Sequence, residues 1–465
     1  MGGKRQKSQE QLAFPLALLG ESRGEAPRAS SEGTEPPVAA PRSESPTGTE
    51  QLMEEVVAEG NIWEAQRRVQ ANKGSPGVDG MRVSQLPGYL EKHWPEVRKR
   101  LLAGSYRPQP VKRVRIPKPD GGERLLGIPT VLDRLIQQAI LQVLQPRWDG
   151  TFSEHSYGFR PGRSARQAVG QAQRYIEEGN GWVVDIDLER FFDRINHDRL
   201  MSRMARRVAD KRLLKLTRAF LNAGVLEGGL VSPTEEGTPQ GGPLSPLLSN
   251  LVLDELDGEL ERRGHRFVRY ADDCNIYVRS PRAGERVMAS VTQYVERKLK
   301  LRVNQKKSAV ARPKDRKFLG FSFTAGRKPK RRIAPKAVAR FKERVRELTG
   351  RNRGKNLEQT IPPLRRYLLG WVGYFGYCQT PSVVAELDSW IRRRLRCLVW
   401  KQWKRGRRRY PALRRLGVSH ELAWRAAKSS KGPWRLSSTE AMHRALGVAA
   451  FEHLGLPTLE GYVHV

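Results

Sequence analysis

The sequence predicts an α+β protein in which strands lie in the middle of the chain and the last third is helical. Residues 107–325 mix runs of β-branched and aromatic residues with helical patterns, the mixture that an α+β core requires. Beyond Arg327 the strand patterns fade, and apolar residues recur at helical spacing among many Lys and Arg residues. Residues 1–50 carry six prolines and are close to electrically neutral, which predicts a disordered leader.

Individual elements follow from local patterns. Residues 111–116 alternate basic and apolar side chains, and the Pro/Gly-rich stretch after them predicts a hairpin turn into 123–128. Residues 182–188 and 267–278 are β-rich apolar runs, whereas helical spacing begins at Gln51. The predicted basic helices of the last third are 334–348, 364–377 and 389–403.

The charge balance predicts a polyanionic partner. The 465 residues contain 85 Lys+Arg against 49 Asp+Glu, a formal net charge of +36. A compact body with this charge repels itself unless a polyanion neutralises it. Hydrophobic residues make up 38% of the chain, enough to build a core, so disorder throughout is disfavoured. Nucleic acid is the first partner to consider, and an acidic membrane surface the second.

Cysteine usage and hydropathy exclude other classes. Cys274, Cys378 and Cys397 form no CxxC pair, which argues against a disulfide scaffold or a cysteine-pair zinc site and fits a reducing compartment. No apolar stretch approaches the roughly 18 residues that a membrane-spanning helix needs. The apolar run 12–19 follows basic residues, but it is short and interrupted by Pro15, unlike a signal peptide. We therefore expect a soluble intracellular protein.

Two acidic clusters are the candidates for chemistry. Asp185-Ile186-Asp187 ends an apolar run that should be a buried strand, and Tyr270-Ala271-Asp272-Asp273 lies in a predicted tight turn between two apolar flanks. Adjacent carboxylates repel one another, and a divalent cation such as Mg²⁺ among them would remove the repulsion. Taken alone, an Asp-Asp pair is more often a solvated acidic turn.

The two clusters belong to an ordered series of motifs. The others, in chain order, are Arg115-Ile116-Pro117-Lys118-Pro119-Asp120-Gly121, Arg124-Leu125-Leu126-Gly127-Ile128-Pro129, Ser156-Tyr157-Gly158-Phe159-Arg160-Pro161-Gly162-Arg163-Ser164, Thr238-Pro239-Gln240-Gly241-Gly242-Pro243-Leu244-Ser245-Pro246, Lys307-Ser308 and Phe318-Leu319-Gly320-Phe321. The series resembles the reverse transcriptase/maturases encoded in bacterial group II introns, and the resemblance covers most of residues 55–450. It implies a right-hand polymerase, with fingers and palm followed by an α-helical thumb/maturase domain.

The resemblance also implies the division of the chain. It assigns 1–50 to the disordered leader, 51–106 to an N-terminal extension, 107–325 to fingers and palm, 326–425 to the thumb/maturase domain and 426–465 to a short DNA-binding-like tail. The loop 72–80 matches a template-holding segment of the family, with a simple flexible turn as an equal alternative. Since no cysteine follows Cys397, the tail resembles the group IIC-like branch, which lacks the C-terminal endonuclease and would use single-stranded or hairpin DNA targets.

Catalytic roles carry over by position within the motifs. Asp187 lies five residues before Phe192, as the family's metal-binding acid does before its second aromatic residue, and Asp272 and Asp273 match the second acidic motif. These three acids are therefore the expected ligands of two Mg²⁺ ions, with Mn²⁺ as an alternative. Two such ions about 4 Å apart activate a 3′-hydroxyl and stabilise the departing pyrophosphate. Asp185 shares the strand face of Asp187 and is either a supporting acid or a surface acid.

Five further residues match nucleotide-binding positions. Lys118 and Arg124 resemble fingers residues that grip the triphosphate, Phe192 resembles the steric gate against a ribose 2′-hydroxyl, and Gln240 resembles a residue of the template–nucleotide pocket. Lys307 matches a lysine near the leaving pyrophosphate and is a candidate general acid. Without the motifs, Phe192 would be read as an ordinary core residue, and Lys118, Arg124 and Lys307 as surface charges.

A dense basic segment predicts a nucleic-acid surface in the last third. Residues 391–410 contain ten Lys+Arg and no acid, and Trp390, Trp400 and Trp403 lie beside or among them. Such a helix suits a groove that neutralises phosphates and stacks on bases, although charge runs are usually solvated faces. Trp371, Tyr374 and Phe375 are spaced as core residues. The predicted nucleic-acid-binding residues are Arg392, Arg393, Arg394, Arg396, Lys401, Lys404 and Arg405.

These expectations combine into one function with two alternatives. The expected protein is an RNA-directed DNA polymerase that binds its parent intron RNA, promotes splicing and supports intron mobility by target-primed reverse transcription. Its partners would be the intron RNA, an RNA template with a DNA primer, a DNA target and dNTPs, and it would not bind a membrane. It would act in the bacterial cytoplasm and at the nucleoid. The sequence leaves open whether it forms a homodimer. The alternatives are a domesticated or defence-associated reverse transcriptase without maturase activity and a non-catalytic RNA-binding splicing factor.

Overall fold

The computed structural model describes residues 48–117, 122–227, 230–233, 236–238, 241–352 and 354–463. The described α-helices are α1 (Leu52–Val56), α2 (Glu59–Ala71), α3 (Leu86–Leu102), α4 (Val131–Asp149), α5 (Ala165–Glu177), α6 (His197–Ala205), α7 (Lys211–Leu221), α8 (Ser245–Arg262), α9 (Pro281–Tyr294), α10 (Pro335–Leu348), α11 (Leu357–Phe375), α12 (Pro381–Gln402), α13 (Gly406–Arg415), α14 (His420–Lys428), α15 (Pro433–Leu436), α16 (Glu440–Ala445) and α17 (Val448–His453). The described strands are β1 (Val111–Pro117), β2 (Glu123–Ile128), β3 (Trp182–Asp187), β4 (Val225–Glu227), β5 (Leu230–Ser232), β6 (Arg266–Tyr270), β7 (Asp273–Val278), β8 (Ala309–Ala311), β9 (Phe321–Phe323) and β10 (Arg331–Ile333).

The chain forms two compact units. The first comprises the described residues up to Thr151 together with 190–252, and the second comprises 152–189 together with the described residues from Leu253 onwards. Both units are therefore assembled from two separated stretches of sequence.

The first unit contains a four-stranded sheet in the order β2-β1-β4-β5. Strands β1 and β2 pair antiparallel, with Arg115 opposite Leu125, which confirms the predicted hairpin strands. Beside the sheet, α4 begins at the cap Thr130, whose hydroxyl accepts a hydrogen bond from the Asp133 amide. The buried Asp133 carboxylate in turn accepts hydrogen bonds from the Tyr106 hydroxyl at 2.9 Å and from Thr130 at 2.7 Å.

The second unit contains an antiparallel sheet in the order β6-β7-β3-β8. The predicted run 267–278 is a hairpin, since β6 and β7 pair with Tyr270 opposite Asp273. Both central strands are almost wholly buried, and α5 and α9 pack against the sheet, because their Val and Ile side chains need cover on both faces. The core continues into the helices, where the Phe341 and Trp371 rings lie 4.3 Å apart, and this confirms Trp371 as a core residue.

The last third is helical, as predicted, with three differences, one of which is that α12 begins at Pro381, eight residues before the predicted start of the helix 389–403. A short strand persists beyond Arg327, because β10 pairs with β9. Helix α11 begins at Leu357, seven residues before the predicted start, because Asn356 and Gln359 form a capping box that initiates the helix ahead of Pro362 and Pro363. None of the described helices combines the length and the apolar character that crossing a membrane requires.

Candidate active site and nucleic-acid surface

The sheet of the second unit brings the two acidic clusters together. Strands β3 and β7 pair in a register that places Asp187 directly opposite Asp273. The β6–β7 hairpin closes through Ala271 and Asp272 alone, so Asp272 follows immediately at the same end of the sheet. Neighbouring residues in such a pair have side chains within about 5 Å of each other, so the structure joins two motifs that are far apart in sequence.

The carboxylates at this end of the sheet disfavour one another's ionisation. Burial, and then the negative charges of Asp185, Asp272 and Asp187, raise the pKa of Asp273 to about 8. Burial likewise raises the pKa of Asp185, although Arg316 partly opposes this effect. A group of carboxylates crowded in this way is chemically suited to a cation with a preference for hard oxygen ligands.

Asp185 is engaged within the protein. It is 8% exposed, and its Oδ2 accepts hydrogen bonds from Arg316 Nε at 2.8 Å and Nη2 at 2.5 Å. It points to the same face of β3 as Asp187, as strand alternation predicts. Of the two roles that the sequence leaves open, the surface role is therefore wrong, because Asp185 is buried and paired with Arg316.

Lys307 lies beside Asp187. Its Nζ is 3.8 Å from Asp187 Oδ2, and both side chains are partly exposed. The loop that carries Lys307 is fixed to the end of β3, because the Asn304 amide donates to Asp187 O at 2.8 Å and the Asp187 amide donates to Ser308 Oγ at 3.0 Å. Asn304 and Ser308 thus hold the loop that carries Lys307 next to the end of β3.

The other predicted nucleotide-binding residues belong to the first unit. Phe192 is half-buried in a single 3₁₀ turn, with its ring 5.2 Å from that of the buried Phe191. The amide of Thr238 donates to Phe192 O at 2.7 Å, which ties Thr238, the first residue of its motif, to this turn. Arg124 is exposed on β2. Lys118 and Gln240 lie outside the residues that the structure describes.

Gly158 is a site residue that the sequence analysis did not assign. A Cβ atom at this position would lie 2.3 Å from the Ala271 amide nitrogen and 3.0 Å from the Tyr270 carbonyl carbon. Because both contacts are with backbone, a side chain here would displace the turn that carries Asp272. The glycine itself is visible in the sequence as part of Ser156-Tyr157-Gly158. The reason for it is not visible there, because the backbone that it contacts lies more than 110 residues away.

The predicted basic surface divides into exposed and internal residues. Lys401, Lys404 and Arg405 are exposed at the end of α12, and Arg392 is partly exposed. Arg393 stacks on the Trp434 ring at 4.2 Å, and Arg394 donates to the Thr349 hydroxyl at 2.8 Å. Arg392, Arg393 and Arg394 lie on α12, and Lys401, Lys404 and Arg405 lie at its end or just beyond it.

Two expectations about this surface are corrected. Arg396 is 3% exposed and donates to the carbonyl oxygens of Ser437 at 2.9 Å and Leu446 at 3.2 Å, so its guanidinium is used inside the protein. Trp400 is fully buried and cannot stack on a base. Both lie on the inner face of α12, where the helix packs against the tail. Trp390, by contrast, is partly exposed, with Lys342, Arg346 and Arg394 within 6 Å of its ring.

The carboxylates at the ends of β3 and β7 are the candidate metal ligands. Among the described residues, no group of three or more His, Cys, Asp or Glu side chains is arranged to hold a metal ion by itself. Magnesium sites for phosphoryl chemistry commonly use one or two carboxylates together with substrate phosphates. The pair Asp187 and Asp273, with Asp272 in the adjoining turn, provides ligands of that kind.

Comparisons with protein families match both halves of this organisation. Residues 116–323 match the family described as reverse transcriptase (RNA-dependent DNA polymerase), and residues 338–417 match the group II intron maturase-specific domain. The predicted polymerase fold and the maturase domain after it are thereby confirmed.

Individual proteins are similar over parts of the chain. Protein YkfC of Escherichia coli (strain K12) is 34% identical over 306 residues, which cover 57% of this chain and 79% of YkfC. The group II intron-encoded protein LtrA of Lactococcus lactis subsp. cremoris is 38% identical over 194 residues, which cover 42% of this chain and 32% of LtrA. Among solved structures, the partial Cas6-RT-Cas1–Cas2 complex aligns with a TM-score of 0.34 at 24% identity, over 53% of this chain and 42% of that chain. The chain thus matches about a third of the length of LtrA.

Proposed function

Because this chain belongs to the family of group II intron-encoded reverse transcriptases and maturases, we propose that it is an RNA-directed DNA polymerase that also acts on its parent intron RNA. The polymerase reaction would extend a DNA primer along an RNA template with dNTPs. The observation that carries the proposal is the register that sets Asp187 opposite Asp273, with Asp272 in the adjoining turn. Carboxylates grouped in this way would hold the divalent ions that act on the attacking and leaving oxygens in nucleotidyl transfer.

The residues that would hold the ions are Asp187, Asp272 and Asp273. Their oxygen ligands fit Mg²⁺, and Mn²⁺ as an alternative. Burial, and then the charge of the neighbouring carboxylates, raises the pKa of Asp273, and a cation would neutralise that carboxylate charge. When two such ions are bound, they lower the pKa of the primer 3′-hydroxyl and stabilise the charge that develops on the leaving pyrophosphate. Asp185 keeps the local charge balanced through Arg316.

Side chains of the other motifs would orient the nucleotide and handle its charge. Lys307, beside Asp187, is placed to offset charge on the leaving pyrophosphate and to donate a proton to it. Phe192 is proposed to exclude a ribose 2′-hydroxyl, and Arg124 to pair with the triphosphate. Lys118 and Gln240 keep the roles that their motifs predict, as triphosphate and template–nucleotide contacts.

The exposed basic residues of α12 support an RNA-binding role. Lys401, Lys404 and Arg405, with the adjoining Arg392, Arg393 and Arg394, would neutralise phosphates of the intron RNA. The match to a maturase-specific domain over 338–417 supports splicing as the purpose of this binding, and mobility would then follow by target-primed synthesis at a DNA target. The division into extension, polymerase, maturase domain and tail remains part of the proposal.

Two assays test the proposal. The purified protein should extend a DNA primer on an RNA template in the presence of Mg²⁺, and failure to do so would remove the polymerase and leave an RNA-binding splicing factor. Splicing of the flanking intron RNA should be faster with the protein than without it. Extension without any effect on splicing would instead indicate a reverse transcriptase that has no maturase role.

A further inference from the structure

Arg269 is a fully buried arginine in the strand that leads to the acidic turn. Its Nε and Nη2 donate to the two carboxylate oxygens of Asp257, on α8, at 2.7 and 2.5 Å. Its Nη2 also donates to Ser156 Oγ at 2.7 Å, and its Nη1 donates to the Ala271 carbonyl oxygen at 2.9 Å. One guanidinium therefore connects α8, the Ser156 motif and the turn itself.

The ion pair between Arg269 and Asp257 explains only part of this arrangement. A buried guanidinium requires a buried carboxylate, and Asp257, which is also fully buried, meets that need. Asp257 occupies Nε and one N–H of Nη2, which leaves the remaining donors of the rigid fork for other acceptors. Of these donors, Nη2 donates to the Ser156 hydroxyl and Nη1 donates to the Ala271 carbonyl oxygen in the β6–β7 turn. A lysine in the same place would lack the fork that reaches all three partners.

The turn that Arg269 holds is in a disfavoured conformation. Ala271 has φ +57°, in the left-handed region that a residue with a Cβ atom seldom adopts. Such a conformation persists when its surroundings impose it. The backbone of Arg269 is fixed as well, because its amide donates to His155 O and its carbonyl accepts from the Tyr157 amide, both at 2.9 Å.

We propose that Arg269 is a positioning residue for DNA synthesis: its guanidinium holds the left-handed Ala271 turn, and through it sets the direction of the Asp272 carboxylate. Gly158 supports the same arrangement from the other side, since it lets the Ser156-Tyr157-Gly158 segment approach the Ala271 amide. The inference rests on the proposed polymerase function. It adds a residue that touches neither substrate nor metal but determines where one metal ligand points.

The decisive experiment replaces the ion pair without leaving a buried charge. The double variant Arg269→Met, Asp257→Leu exchanges the ion pair for apolar side chains, a change that often leaves the free energy of unfolding of a protein nearly unchanged. It also removes the hydrogen bond to the Ala271 carbonyl oxygen. We expect a thermal midpoint close to that of the wild type, an unchanged Kd for primer–template, and faster hydrogen–deuterium exchange of the Tyr270–Asp273 amides. The kcat should fall about 10²-fold, with the KM for dNTP nearly unchanged.

Two further variants keep the test decisive if the double variant does not fold. Arg269→Lys retains the charge beside Asp257 but loses the fork, so kcat should again fall and amide exchange of the turn should again rise. The matched control is Arg263→Met, Glu259→Leu, which removes the ion pairs of Glu259 with Arg262 and Arg263 at the end of α8, at 2.7 and 2.6 Å, and should leave both measurements as in the wild type.

Wild-type kcat and wild-type amide exchange in Arg269→Lys or in the double variant would overturn the inference. So would an equal loss of kcat in the Arg263 control, because the effect would then reflect general loss of ion pairs in α8. The exchange measurement requires no catalysis. It therefore tests how Arg269 holds the turn even if the wild-type protein fails to extend a primer, and it separates failure of this inference from failure of the polymerase assignment.

Discussion

Arg316 joins Asp185 to the loop that presents Lys307. Its Nη2 lies 2.5 Å from Asp185 Oδ2 and also donates to the Lys307 carbonyl oxygen at 2.6 Å. Asp185 and Arg316 are 131 residues apart in sequence. Asp185, two positions before Asp187, is thus linked through one arginine to the backbone of the lysine that lies beside Asp187.

Removing Arg316 should harm both stability and catalysis. Arg316→Met leaves the partly buried Asp185 carboxylate without its partner, and we expect a loss of about 2 kcal/mol in the free energy of unfolding. Release of the Lys307 loop should lower kcat about 10-fold or more. Urea titration and steady-state primer extension measure the two effects. Adding Asp185→Asn to Arg316→Met should restore part of the stability and none of the catalysis; full recovery of kcat would contradict the link to Lys307.

Asp272→Asn should separate catalysis from RNA binding. The substitution keeps the size of the side chain and removes the charge that a metal ion requires, so extension should fall by more than about 10³-fold. The Kd for intron RNA, measured by filter binding, should stay within about twofold, because the proposed RNA contacts lie on α12. Asp315→Asn, an exposed acid in the same unit, is the control and should keep full extension. Loss of RNA binding in Asp272→Asn would show that the two roles share one surface.

Asp133 should make the stability of the first unit depend on pH. Burial raises the pKa of Asp133 from 3.8 to about 6, against the opposing hydrogen bonds from Thr130 and Tyr106. Because the folded-state pKa is raised, the stabilising contribution of the protonated carboxyl is complete below about pH 4 and is lost as the pH rises through about 6. The loss amounts to about 3 kcal/mol.

Asp133→Asn removes this titration. The difference in unfolding free energy between the wild type and the variant should therefore shift by about 2.5 kcal/mol between pH 4 and pH 7, with the wild type losing relative stability as the pH rises. Urea titrations at a series of pH values measure this shift. A difference that does not vary with pH would mean that the Asp133 carboxylate titrates normally.

Gly158→Ala should disturb the acidic turn. Its Cβ atom would meet the Ala271 amide nitrogen at 2.3 Å, and relieving that overlap should cost about 1–3 kcal/mol of stability. The accompanying shift of Asp272 should lower kcat about 10²-fold. Gly258→Ala is the matched control: this glycine is exposed in α8 with open space around it, so alanine should stabilise the helix by about 0.5–1 kcal/mol and leave kcat unchanged. Normal extension by Gly158→Ala would show that the turn can shift without consequence.

Neutralising the end of α12 should change how RNA binding depends on salt. Each phosphate contact contributes about 0.7–0.9 to the slope of log K against log salt, so Lys401→Gln, Lys404→Gln, Arg405→Gln should reduce the slope by about 2–3. The same change in charge on another exposed face, Arg282→Gln, Arg286→Gln, Arg297→Gln, provides the control and should alter the slope little. Equal effects in both triple variants would point to non-specific attraction by the +36 net charge.

Much of the candidate site could be predicted from local sequence. The hairpin around Asp272 follows from apolar flanks on either side of a polar turn, and the position of Asp187 follows from the apolar strand run that it ends. The meaning of its spacing to Phe192 came from the family resemblance. The α+β class and the helical last third follow from periodicity, because backbone geometry repeats every two residues in strands and about every 3.6 in helices. The +36 net charge by itself predicts a polyanionic partner.

Which side chains meet was decided by the tertiary structure. Sequence alone left Asp185 as either a supporting acid or a surface acid. Its burial and its hydrogen bonds with Arg316 exclude the surface role. Arg396 and Trp400 looked like part of a nucleic-acid surface but face the interior, since a helix that packs on two sides buries residues outside its apolar stripe. The proposed roles of Arg269 and Gly158 depend on their contacts with the Ala271–Asp272 turn, which only the folded chain brings next to both residues. Strand register and helix docking depend on the whole core, and local patterns do not encode those long-range pairings.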